Sequence, residues 1–202
     1  LSDVTYPYIS GTSVARDFVE LPSQLYEHWP AVPEILEAHA RHVETGAPMP
    51  RDLVDRLIAA ENFHQGFKTV ELTASALVHP ELHVLENTDN FDPKSFEAEV
   101  LDGIGMPEAI IMRHRSPHFQ HVFSGDGYSA GYYSYMWSEV MDADAFAAFE
   151  ETGDAFDPGR AAALEAHILS TGGSQDAEAL YKAFRGRLPG VEALLKGRGL
   201  AA

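Results

Sequence analysis

Phe63, Phe67, Val70, Ala74 and Leu77 recur at alternating four- and three-residue steps, with Val78 beside them. That spacing lays apolar side chains along one face of an α-helix. The same period returns at Phe18, Leu21, Leu25 and Trp29, resumes past Pro30 and Pro33 at Ile35, Leu36, Ala40 and Val43, and recurs at Leu53, Leu57 and Ile58. It appears again at Phe96, Val100 and Leu101, and across Tyr128–Phe149. The expected class is mostly α: a multi-helix arrangement with one irregular glycine-rich loop and at most short strands.

Local punctuation divides the helices. Thr12 or Ser13 can cap a helical stretch running from Gly11 to Glu44, and Gly46-Ala47-Pro48 reads as a loop. Pro50 suits the next start, because a proline in a first turn forfeits no hydrogen bond. A long helix is expected from Glu61 to about Leu85, weakened at Gly66 by ~1 kcal/mol against alanine. Asp92-Pro93, Asp157-Pro158 and Ser174 mark further starts, while Gly103, Gly105 and Gly172-Gly173 mark stops. The Asp157 helix is expected to reach Leu169, and a last short helix spans Val191 to Lys196. Met112 to Gly127 has no helical period and contains Pro117, Gly125 and Gly127, so a loop with a short extended piece is expected there. With no repeat, low-complexity tract or linker, residues 1–202 read as one domain.

Composition excludes several function classes. No apolar run approaches the roughly 18 residues of a membrane span. Thirty-one acidic against fourteen basic residues give a net charge of −17, which repels a phosphate backbone, so nucleic acid is not an expected partner. The absence of cysteine removes disulfides, thiolate metal sites and cysteine nucleophiles together and fits a reducing compartment; a cytoplasmic location is expected.

Three places can carry chemistry. On a helix, Asp17 and Glu20 lie three apart on one face. They form either an ordinary acidic helix start or a metal ligand with a supporting carboxylate. Tyr128, Tyr132 and Tyr135 sit at i, i+4 and i+7 behind Gly125-Asp126-Gly127. They form either a packing stripe or a row of phenols able to donate to a developing oxyanion. His114, His118 and His121 have zinc-like spacing, but Pro117 and the lost period argue against one helix, and surface or capping roles suit them better; the same holds for His39 and His42. None of the ten histidines is followed by glutamate, so the His-Glu-x-x-His motif is absent from this chain.

Gly11-Thr12, Arg16-Asp17-Phe18-Val19-Glu20 and Pro22-Ser23-Gln24, taken with Tyr128 through Val140, resemble the thimet oligopeptidase and peptidyl-dipeptidase family of zinc peptidases. Thr152-Gly153, Ile168 through Ser174, Leu180-Tyr181 and Phe184-Arg185-Gly186 resemble that family's C-terminal end. Asn62-Phe63, Gln65-Gly66-Phe67 and Met112 through Phe119 resemble its peptidyl-dipeptidase branch. The resemblance covers essentially the whole chain. It implies the C-terminal part of an oligopeptidase catalytic domain, lacking the upstream His-Glu-x-x-His helix.

The resemblance further implies zinc-dependent hydrolysis of short peptides. Glu20 is then the third zinc ligand, Asp17 supports a ligating histidine, Tyr135 and His121 steady the oxyanion, and Tyr128 and Tyr132 hold the peptide. Arg113 or Arg115 has the chemistry to receive a C-terminal carboxylate. One carboxylate does not make a three-ligand zinc site, so the chain alone is expected to be inactive and to hold zinc weakly or not at all. Its expected partners are peptide substrates, the missing N-terminal part of the enzyme, and a second copy of itself. The alternative is a non-catalytic helical module that self-associates or pairs with another chain.

Overall fold

The structure is a computed structural model describing residues 1–201. The α-helical segments among these are α1 (Arg16–Val19), α2 (Leu21–Tyr26), α3 (Pro33–His39), α4 (Arg51–Ala60), α5 (Gln65–His83), α6 (Pro93–Gly103), α7 (Gln120–Phe123), α8 (Ser134–Glu150), α9 (Pro158–Leu164), α10 (Ala177–Arg185) and α11 (Glu192–Gly197). Single 3₁₀ turns and one π-helical turn, Glu165–Leu169, fill several joints. The only extended pairing among the described residues is an isolated antiparallel bridge, Arg41 with Pro48. No helix among them is long and apolar enough to cross a membrane. The mostly α expectation holds.

Contacts group the chain into two compact units, one made of residues 1–63 with the chain from Trp137 onward, the other of His64–Met136. In the first unit, Phe18, Leu21 and Leu25 pack with Met141, Ala145, Ala148 and Phe149 of α8, and with Leu180, Tyr181 and Phe184 of α10. Ala145 and Ala148 are fully buried, and their small side chains let neighbouring elements approach the helix closely. Trp29 meets Phe146 and Phe149 edge-on, each at 5.1 Å between ring centres, while its indole N–H donates to the Ala155 carbonyl at 3.0 Å. Buried Tyr181 donates its hydroxyl toward Asp144 Oδ2 and the Met141 carbonyl, both at 2.9 Å. Arg185 and Arg187 neutralise the same buried Asp144.

The leading arm of this unit is strapped to its last third. Asp3 N–H donates to the Ser170 carbonyl and Gly173 N–H to the Ile9 carbonyl, both at 2.8 Å. A Cβ on Gly172 would stand 2.2 Å from the Ile9 carbonyl oxygen, and one on Gly173 2.4 Å from that of Ser13. Glycine is required at both by the close approach of backbone.

Several boundaries depart from the sequence reading. The expected Gly11–Glu44 stretch is three short helices, because Pro22, Pro30 and Pro33 each restart the backbone. Neither Thr12 nor Ser13 caps: α1 opens after Ala15 without a side-chain cap. Asp92 and Asp157 do cap, accepting from Ser95 N–H at 3.0 Å and Arg160 N–H at 2.7 Å. Ser174 is displaced by Asp176, which accepts from Ala179 N–H at 3.2 Å. The helix from Asp157 is α only to Leu164 and then widens into the π turn. Met112–Gly127 holds helical turns rather than an extended piece. The long helix begins at Gln65, not Glu61, since His64 is left-handed at φ 58°.

Candidate active site

The second unit builds its chemistry on a buried carboxylate. Glu97 on α6 is almost wholly buried. Its Oε1 accepts from the Ser116 N–H at 2.6 Å and its Oε2 from Arg115 Nη1 at 3.1 Å. An acid side chain from one helix thus fixes the irregular segment that follows it. From Ser116 the chain makes one 3₁₀ turn, buries Phe119 and forms the short helix α7, which holds His121 on an exposed surface.

The chain then turns through Gly125 to Gly127 and returns Tyr128 against His121, with ring centres 4.2 Å apart. Nε2 of His121 lies 2.6 Å from the Tyr135 hydroxyl. Tyr128 stacks on Tyr135 at 6.0 Å with 8° between the planes, and Tyr132 tilts against Tyr135 at 5.3 Å. His121 and the three tyrosines singled out in the sequence therefore come together, but the tyrosines do not form one helical face. Ala130 adopts the left-handed φ of 51°, which breaks the helix expected from Tyr128. α8 starts only at Ser134, so Tyr135 is its sole tyrosine.

Tyr132 lies deeper than Tyr128 and Tyr135. It is buried on Phe119, with ring centres 4.8 Å apart in a T-shaped contact. Burial pushes its phenol pKa up; the Arg113 guanidinium beside the hydroxyl pulls it back, and Glu71 adds to the rise. Tyr128 and Tyr135 pack against the apolar cluster to which it belongs.

The reading from sequence overlooked His79. It lies on α5 in line with Leu72, Ala76 and His83, a face other than the apolar one traced in the sequence. Its ring is fully buried among Phe119, Phe123 and Tyr132, at 4.7, 5.6 and 5.6 Å between centres, and neither nitrogen has a hydrogen-bond partner. Burial first, then the neighbouring His83 and His114, lower its pKa to about 4 against an opposing pull from Glu97. At neutral pH it is an uncharged packing ring.

Other histidines and carboxylates singled out in the sequence have contacts of their own. His114 packs on Phe119 at 4.4 Å, and the 3₁₀ turn at Ser116–His118 keeps His114, His118 and His121 off one helix. His42 Nδ1 accepts from the N–H groups of Glu44 and Thr45 at 3.2 and 3.3 Å, a turn cap. In the first unit, Asp17 lies in α1 and Glu20 at the joint between α1 and α2, so the two do not share one continuous helix. Glu20 Oε2 accepts from Ser23 Oγ at 2.8 Å, and the Asp17 carbonyl accepts from buried Ser138 at 3.1 Å. Asp17 also lines a mainly apolar cavity of about 860 Å³ with Val14, Phe18, Trp137 and Met141. Among the described residues, no three histidine, aspartate or glutamate side chains converge in a way that could hold a metal ion.

The His121–Tyr135 pair has a defined chemical capacity. A histidine carrying its proton on Nε2 donates to the phenol oxygen, which makes the phenol O–H the donor of the pair. A histidine protonated on Nδ1 accepts from the phenol and takes that donor away. Only the first arrangement presents Tyr135 to an electron-rich oxygen.

The sequence matches Peptidase family M3 over residues 1–200. It is 40% identical to the dipeptidyl carboxypeptidase of Salmonella typhimurium over 201 residues, covering 96% of this chain and 29% of that protein. It is 38% identical to oligopeptidase A of Escherichia coli over 200 residues, covering 95% and 28%. It is 33% identical to the thimet-like oligopeptidase of Dictyostelium discoideum over 203 residues, covering 98% and 29%. The chain spans about three-tenths of the length of these relatives. Because the match runs unbroken from the leading arm through the tyrosine–histidine cluster to α11, the chain belongs to peptidase family M3.

Proposed function

We propose that this chain serves the hydrolysis of short peptides, with Tyr135 donating a hydrogen bond to the carbonyl oxygen under attack and His121 orienting that phenol. The observation that carries this reading is the 2.6 Å contact between His121 Nε2 and the Tyr135 hydroxyl. A donor preset before the reaction stabilises the developing oxyanion without reorganising, which is the largest single contribution in many acyl-transfer sites. Tyr128, stacked on Tyr135, tilted against His121 and half-buried, fixes the phenol's direction and offers its own hydroxyl to the peptide backbone. Tyr132 supports the group from below.

Glu20 is the proposed zinc ligand of the first unit, and Asp17 would hydrogen-bond a zinc-ligating histidine. The described residues do not assemble a zinc centre by themselves: no three donors converge, and Glu20 already accepts from Ser23. A complete centre requires two further donors. Nothing in the role of Tyr135 and His121 depends on how that centre is completed, because their contribution is to the oxygen of the scissile carbonyl.

The test uses the full-length polypeptide that carries this chain, supplied with zinc and given internally quenched short peptides. The reading expects turnover that a chelator abolishes and zinc restores, and that Tyr135→Phe suppresses in the properly folded protein. Unimpaired turnover by Tyr135→Phe would remove the proposed donor from the mechanism.

A further inference from the structure

The helix that carries His121 does not hold its own place. α7 has four residues, too few for a helix to persist without outside contacts. Tyr135 lies in the opening turn of α8, shortly after the left-handed residue Ala130. Where the two side chains meet, at 2.6 Å, therefore depends on what lies beneath them.

One side chain reaches the supports of both. The ring of His79 lies 4.7 Å from that of Phe119 and 5.6 Å from that of Phe123. These two phenylalanines stand two positions before and two after His121, and Phe119 also stacks on His121 at 6.4 Å with 28° between the planes. On its other side His79 lies 5.6 Å from Tyr132, whose ring tilts against Tyr135 at 5.3 Å. Phe119 and Tyr132 close the circuit at 4.8 Å. His79 itself belongs to α5, a helix of 19 residues and so a firmer base than the short turn above it. Hydrogen bonding does not account for a histidine here: neither nitrogen has a partner, and burying them unpaired is unfavourable. The ring contributes its shape, a flat and fully buried wedge between aromatic supports.

We infer that His79 is a positioning residue for the oxyanion donor, setting through Phe119 and Tyr132 where His121 and Tyr135 meet. This rests on the peptidase reading above and deepens it by extending the machinery to a side chain that acts only through the pair.

The test uses the full-length zinc-loaded protein and one quenched peptide. His79→Ala empties the wedge and is expected to lower kcat and kcat/KM alike, by about 10- to 100-fold, as misplaced reacting groups do. His79→Phe keeps a flat ring and is expected to recover most of that loss. Where Tyr135→Phe has already removed the donor, His79→Ala should cost less than about twofold more. A general weakening of the fold would cost the same in both backgrounds. Unchanged kcat in His79→Ala, or an equal loss with and without the Tyr135 hydroxyl, overturns the inference and leaves peptide hydrolysis standing. Should His79→Ala not fold, His79→Val, which leaves a smaller void, is judged by the same criteria. If the protein turns over no peptide, or Tyr135→Phe is unimpaired, the peptidase reading fails instead. Hydrogen exchange at the Val122, Phe123 and Ser124 amides, which donate within the α7 turn, then judges His79 alone. Exchange there about tenfold faster in His79→Ala, with α10 unchanged, is expected; equal exchange in the two proteins overturns the inference.

Discussion

The imidazole of His79 packs edge-on to Tyr132, with 62° between the ring planes, and neither of its nitrogens is hydrogen-bonded. Protonating it places a charge among aromatic rings with Glu97 as the nearby opposite charge and His83 and His114 as like ones. Its folded pKa, about 4, lies below the ordinary value of 6.5, so the unfolded chain binds more protons between these values. Stability from this group is complete above about pH 6.5, declines as pH falls and is gone below about 4; the window is worth on the order of 3 kcal/mol. Urea unfolding followed across that range is expected to show a steeper loss in the unaltered protein than in His79→Phe. Parallel curves for the two would show that His79 is not the group responsible.

Tyr135→Phe deletes the proposed donor and keeps the ring. Full-length protein carrying it is expected to lose about 100- to 1000-fold in kcat. His121→Ala is expected to act through the same phenol, so the double variant should be little worse than the worse single one. Steady-state kinetics on one quenched peptide checks this; multiplicative losses would mean that the two residues act separately.

Glu97→Ala leaves Arg115 and the Ser116 N–H without their shared buried acceptor. A loss of about 1–3 kcal/mol is expected by denaturant unfolding, chiefly from the buried Ser116 N–H left without an acceptor, since Arg115 is half exposed. Hydrogen exchange should rise first in the segment from Arg115 to Phe123, which Glu97 anchors. Uniform exchange across the chain would argue against a local tether.

The isolated chain offers Glu20 without two converging partners. After dialysis it is expected to retain well below one zinc per molecule, counted by elemental analysis. A stoichiometric ion that survives dialysis would show that other donors reach Glu20.

Features written within a few residues were legible beforehand. Asp92 and Asp157 were readable as caps because the bond each accepts comes from three residues on. The helical class was readable because its period is local. Ala130 was not: its side chain favours helix, and only the packing of Tyr132 beneath Tyr128 and Tyr135 explains a left-handed residue there. The meeting of His121 with Tyr135 spans fourteen positions; spacing marked each as a candidate in a separate group, and only the family resemblance paired them. Glu97, Asp144 and His79 gave no warning. Burial of a polar group depends on partners that lie far away in sequence, as Arg185 does from Asp144, or on none at all, as with the nitrogens of His79.

The first unit is assembled from two stretches, residues 1–63 and the chain from Trp137 onward, with His64–Met136 inserted between them. Its leading arm is sealed by Ser170 and Gly173, so during synthesis the arm must wait for more than a hundred and fifty later residues before its native neighbours exist. The inserted unit has no such delay. Birth order at the ribosome should therefore let the histidine–tyrosine unit mature early and leave the Phe18 and Leu21 faces open to chaperones until α8 and α10 emerge.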